Sequence, residues 1–122
     1  MTSPLPASLN ILVVEDNDDF RELLCEMLQM LGHSVTSEAT GEKALEAVRS
    51  VQPDLVISDV TLPGMSGIDL AREIHVLQPS IRIILSSGYG VAIGNQLDFK
   101  TGVLSKPYSL DQLTQTLKQV SS

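Results

Sequence analysis

The run Leu9-Asn10-Ile11-Leu12-Val13-Val14-Glu15-Asp16 (LNILVVED, residues 9–16) is apolar almost throughout and turns acidic at its end. A strand with one wet face alternates polar and apolar residues. This run does not, so it reads as a strand covered on both faces, the pattern of a parallel sheet clothed by helices. Downstream, two periods alternate to the end of the chain. Phe20, Leu23, Leu24, Met27, Leu28 and Leu31 recur at helical spacing, and Gly32 stops that helix. Ser34 to Ser37 gives a brief second strand, and Ala44, Leu45 and Val48 mark a second helix closed by Pro53. Asp54 to Ser58 is the third strand. Ile68, Ala71, Ile74 and Leu77 form the stripe of a third helix ended by Pro79. Ile81 to Ser86 and Gly102 to Ser105 supply the last two strands, and Leu110, Leu113, Leu117 and Val120 the last helix.

Parallel strands need crossover connections, and helices alternating with five strands supply them. The expected class is therefore α/β, a parallel sheet wrapped on both faces. Residues 1–8, with Ser3, Pro4, Pro6 and Ser8, read as a flexible tail ahead of one domain over 9–122. Gly88 to Phe99 holds three glycines and little periodicity, so a helix between the last two strands is expected to be short or irregular.

Composition narrows the function. The chain has 122 residues, 43% hydrophobic and 19% charged, enough to bury a real core. A formal net charge of −7 argues against nucleic-acid binding, which needs clustered Lys and Arg. With two Phe, two Tyr and no Trp, base-stacking platforms are improbable too. One cysteine, Cys25, excludes an internal disulfide and a Cys-based zinc site. The amino terminus lacks the basic and apolar regions of a signal peptide, and no apolar stretch reaches the roughly 20 residues that span a bilayer. A cytoplasmic setting without membrane contact by this domain is expected.

In open parallel sheets function gathers beyond the carboxyl ends of the strands, near the reversal of strand order. Glu15-Asp16 ends the first strand, Asp59 the third, Ser86-Ser87 the fourth and Ser105-Lys106-Pro107 the fifth. Three carboxylates this close repel unless a cation relieves them. Hard oxygen ligands suit Mg²⁺ (or Mn²⁺), which keeps several waters. Lys106 offers a point charge to an acid or a phosphate, and a serine hydroxyl can donate to a phosphoryl oxygen. Together these make a site for phosphoryl transfer to a nucleophilic aspartate.

Other patterns fail. Glu15 to Asp19 lacks the central glycine of a calcium loop. Gly88-x-Gly90-x-x-x-Gly94 misses the dinucleotide spacing by one residue, and no phosphate-binding G-x-x-x-x-G-K-[ST] loop exists. His33 and His75 stand apart from any ligand set and read as surface residues. Cys25 falls beside the apolar stripe of the first helix and reads as inert.

The motifs resemble those of response-regulator receiver domains in two-component and phosphorelay signalling, most like the receivers of hybrid sensor histidine kinases. Val13-Val14-Glu15-Asp16 is similar to the acidic pair, and Ser58-Asp59-Val-Thr-Leu-Pro-Gly-Met-Ser-Gly67 to the phosphoacceptor loop. Ile84-Leu-Ser-Ser-Gly88 is similar to the hydroxyl motif and Ser105-Lys106-Pro107 to the Lys-Pro pair. The resemblance implies a flavodoxin-like doubly wound (βα)5 sandwich with a five-stranded sheet in order 2-1-3-4-5. It implies Asp59 as phosphoacceptor, Lys106 as the residue that holds the phosphoryl group, and Ser87 in the hydroxyl switch role, with Ser86 less favoured. It also implies a Mg²⁺ site of Glu15, Asp16, Asp59 and the Thr61 backbone carbonyl. The implied partner is a sensor histidine kinase or a histidine phosphotransfer protein. The implied activity is self-catalysed phosphorylation and dephosphorylation with no other enzyme turnover.

Three departures stand out. Val103 occupies a position three before the lysine where most receivers carry Tyr or Phe, so coupling from phosphate to the last helix is expected to change. The segment from Ser87 to Lys106 is short and glycine-rich. Tyr89, two past Ser87, is expected with Thr61 to line the phosphoryl pocket and to shield it from water. No effector domain is expected after the last helix, leaving a stand-alone receiver or a piece of a larger kinase that signals by protein contact. The rivals are a Mg²⁺-dependent phosphohydrolase with Asp59 as nucleophile, disfavoured because Thr61 stands where a second acid is wanted, and a degenerate interaction module.

Overall fold

The computed structural model describes residues 8–88 and 97–121. Within them the order is β1 (Asn10–Val14), α1 (Asp18–Met30), β2 (Ser34–Glu38), α2 (Gly41–Val51), β3 (Leu55–Asp59), α3 (Gly67–Leu77), β4 (Arg82–Ser87), β5 (Gly102–Ser105) and α4 (Leu110–Ser121). The five strands form one sheet in order β2-β1-β3-β4-β5, every neighbouring pair parallel. This is the doubly wound, flavodoxin-like arrangement that the motifs imply. The irregular helix expected between β4 and β5 falls largely on residues 89–96, outside the described residues, as do the tail before Ser8 and Tyr89.

The continuous apolar runs have a direct cause, because each strand feeds two cores. Ile11 and Val13 of β1 enter the layer beneath α1 and α4, with Leu24, Leu28, Leu113 and Leu117. Leu12 and Val14 enter the opposite layer, with Ala44, Val48, Leu70 and Ile74 of α2 and α3. Ile83, Ile84 and Leu85 of β4 divide in the same way. Full burial of each such side chain contributes about 1.5–3 kcal/mol.

Caps set the helix starts. Asn17, Thr40 and Ser66 each accept from a backbone N–H three residues on. At α4, Ser109 Oγ accepts from Gln112 N at 3.1 Å while Gln112 Oε1 accepts from Ser109 N at 2.8 Å, a reciprocal capping box.

Several expectations are corrected. Leu23 is 52% exposed, one position round from the face that Leu24 and Leu28 bury. Phe20 belongs to neither core layer. His33 is buried, not at the surface: its Nδ1 accepts from Leu9 N at 3.1 Å, and its Nε2 has no partner among the described residues. Burial pushes its pKa below the ordinary histidine value. His75 is half-buried, its ring stacked on Phe99 at 3.9 Å. Cys25 is half-buried against the α1–α4 core, and burial pushes its thiol pKa up. Asp54 stands before β3, where its Oδ2 accepts from Asn10 N at 2.8 Å, so the strand runs from Leu55 to Asp59.

Candidate functional site

The chain leaves β1 toward β2 on one side and returns to β3 on the other, so the order reverses between β1 and β3. Glu15 follows β1 and Asp59 closes β3 at that crevice, the expected place for a ligand in an open sheet.

Glu15 is 2% exposed, and both of its oxygens are bonded. Oε1 accepts from Lys106 Nζ at 2.7 Å and Oε2 from Asn17 N at 3.1 Å. Its backbone is fixed as well: the N–H donates to Glu38 O at 3.1 Å, and the carbonyl accepts from Arg21 Nη1 at 2.8 Å. Asp59, 9% exposed, accepts from Lys106 Nζ at 3.1 Å on Oδ2 and from Thr61 N at 3.4 Å on Oδ1. Asp16 is exposed, yet one oxygen from each of Glu15, Asp16 and Asp59 lies within 4.8 Å of the others. Two carboxylates thus share one ammonium, with a third beside them.

That imbalance shapes the titration. Burial pushes the Glu15 carboxyl up, and the charge of Asp59 adds to it, against the pull of Lys106 and the Asn17 amide. For Lys106, burial works downward but is outweighed by the bonds and charges of Glu15 and Asp59, so its pKa rises and it stays charged. A cluster of hard oxygen donors, one on the wet side, with more negative charge than the lysine cancels, fits a small divalent cation such as Mg²⁺.

β4 holds the loops on either side of it. Ser86 O accepts from Val60 N at 2.9 Å, and Ser87 O accepts from Lys106 N at 2.8 Å. Both serines are buried, Ser86 in register with Asp59 and Ser87 with Ser105. Gly67 opens α3 directly against the preceding loop. Its N–H donates to Val60 O at 2.8 Å, and a Cβ there would run into the Asp59 carbonyl oxygen. Gly64 turns the loop with φ +74. Of the turn residues in this stretch, one glycine thus supplies a left-handed bend and the other a close approach.

Thr61 is exposed beside Asp59. Val103 is 48% exposed on the outer face, lining a groove of about 290 Å³ with Tyr108, Gln112 and Thr116. Two residues near the site escaped the sequence reading in this role. Lys106 Nζ sits 4.5 Å from the centroid of the Phe20 ring, and Tyr108 meets that ring edge-on at 5.8 Å and 86°. The Tyr108 hydroxyl is buried with no hydrogen-bond partner among the described residues, and burial, then the charges of Glu15 and Asp59, push its pKa up. An aromatic two residues after the lysine was the available signal.

The family model of the response regulator receiver domain matches residues 11–118. The sensor kinase CckA of Brucella abortus is 40% identical over 121 residues, which cover 95% of this chain and 13% of the kinase. The sporulation initiation phosphotransferase F of Bacillus subtilis is 33% identical over 112 residues, 89% of this chain and 90% of that protein. Among solved structures, chemotaxis protein CheY4 of Vibrio cholerae superposes with a TM-score of 0.86 at 27% identity, covering 93% of this chain and 99% of that one. Relative to the sensor kinase, then, the chain spans a small part of the full length.

Proposed function

The chain belongs to the response regulator receiver family, and on that premise we propose that Asp59 accepts a phosphoryl group from a phosphohistidine. The observation that carries this reading is the Lys106 ammonium shared between Glu15 Oε1 and Asp59 Oδ2 at the strand ends. A carboxylate oxygen of Asp59 attacks phosphorus, the new P–O bond forms as the P–N bond breaks, and the imidazole leaves and takes up a proton. The Thr61 N–H beside Oδ1 orients the nucleophile. Lys106 is positioned to follow the charge from the free carboxylate to the phosphoryl oxygens, with the Ser87 hydroxyl as a second donor. When bound, Mg²⁺ supplies charge neutralisation at those oxygens, and Glu15, Asp16, Asp59 and the Thr61 carbonyl would hold it.

The donor is a sensor histidine kinase or a histidine phosphotransfer protein in the cytoplasm. The likeness to a sensor kinase and a sporulation phosphotransferase supports that partner class. Among the described residues no helix is long and apolar enough to cross a membrane. Output is by protein contact from residues 9–122, since a net charge of −7 disfavours nucleic acid. Acetyl phosphate with Mg²⁺, followed by intact-mass spectrometry, tests the reading. One added phosphoryl group, absent in Asp59→Asn, is expected. Continuous release of phosphate would instead make the protein a hydrolase, and no adduct would make it an interaction module.

Val103 is half-exposed and brings no ring to the groove beside α4. Phosphorylation accordingly reshapes this face less than in receivers with an aromatic residue there. Amide shifts on adding a phosphate mimic should stay within the loops around Asp59, and large shifts across Val103 and α4 would contradict this.

A further inference from the structure

We propose that Phe20, braced edge-on by Tyr108, is a positioning residue for the Lys106 ammonium, the ring serving as a third contact beside Glu15 and Asp59. The inference rests on the reading of Lys106 as the group that meets the phosphoryl oxygens. A lysine ammonium is a compact charge on a flexible stem. Two carboxylate bonds leave one side open, and the Lys106 side chain is 23% exposed, so water competes for it. The Phe20 ring lies 4.5 Å from Nζ, within the range where a ring face attracts a cation.

The ring is not core filler, because Phe20 lies outside both core layers. It is instead pinned to the acid site through the backbone. Asn17 Oδ1 accepts from Phe20 N at 2.8 Å, and Asn17 N donates to Glu15 Oε2 at 3.1 Å. One helix cap therefore fixes both the carboxylate partner and the aromatic partner of the lysine. From the other side, Tyr108 follows Lys106 by two residues and sets its ring at 86° to Phe20, a favoured edge-to-face contact. The Tyr108 hydroxyl accounts for none of this, since it is buried without a partner among the described residues. The ring contacts hold it.

The test separates ring electrostatics from ring shape. Phenylalanines carrying one, two or three ring fluorines are placed at position 20 in the full chain, alongside Phe20→Leu. Fluorination weakens the negative ring face with little change in size. In the metal-free, unphosphorylated protein, the ¹⁵N signal of the Lys106 ammonium should move stepwise with fluorine count and be most broadened in Phe20→Leu. The rate of Asp59 phosphorylation by acetyl phosphate should fall in the same order, on the order of three- to ten-fold in Phe20→Leu. An ammonium signal unchanged across the fluorine series overturns the proposal. If the wild-type protein takes up no phosphoryl group, the phosphoacceptor reading fails by itself, while the ammonium signal still decides the role of Phe20.

Discussion

The two ends of the sheet use the same kinds of side chain in opposite ways. At the amino ends of the strands, Asp54 and His33 accept from the backbone N–H groups of Asn10 and Leu9. At the carboxyl ends, Glu15 and Asp59 each give one oxygen to a backbone N–H and share the Lys106 ammonium through the other. Polar groups tied to backbone make a fixed joint. Charged groups tied to one another, with negative charge in excess, can be re-partnered when a cation or a phosphoryl group arrives.

Removing the central charge should show the contrast most strongly. Lys106→Met leaves Glu15 and Asp59 buried without their counter-charge and should destabilise the metal-free protein by about 2 kcal/mol, less than for a fully buried broken pair because the lysine is partly wet. Urea unfolding measures this, and a variant as stable as wild type would mean the lysine is not what offsets the repulsion. At the other end, Asp54→Ala should cost about 1 kcal/mol, the worth of a single bond to backbone, and leave the rate of Asp59 phosphorylation unchanged. A slowed rate would join the two ends and break the comparison.

The smallest effect belongs to His33. Its pKa is depressed in the fold by burial, relative to about 6.5 in the unfolded chain. Between those values the unfolded state binds more protons, so its contribution is present above about pH 6.5 and is lost as pH falls toward the folded value. The stability difference between wild type and His33→Gln should therefore shrink from pH 7.5 to pH 5, by less than about 1 kcal/mol. A difference that grows on acidification would show the folded protein protonating His33 more readily than the unfolded chain does.

The sheet was legible because short apolar runs such as Ile11–Val14 alternate with helical stripes, and the acids and lysine because each follows such a run at its end. What stayed hidden depends on contacts between distant segments. Phe20 has the spacing of a core residue, and nothing near it in sequence reveals that Lys106 returns beneath its ring. His33 follows Gly32 in what reads as a turn, yet the start of β1 closes over it. Asp54 looks like the first residue of a strand, and only the nearness of Asn10 makes it a cap. Gly67 stands in the sequence only as the end of a loop motif, and it is the neighbouring Asp59 carbonyl that excludes a side chain there.

That last contact bears on time as well as on shape. The start of α3 is set against the backbone of Asp59, and the Gly67 N–H is bonded to Val60 O, so loop and helix meet at one tight joint. The loop is then expected to open together with the start of α3. Slow hydrogen exchange at the Gly67 amide, matching that of the α3 interior rather than that of a surface turn, is the signature of such joint opening. The segment bearing Asp59 would then keep the clock of the helix behind it.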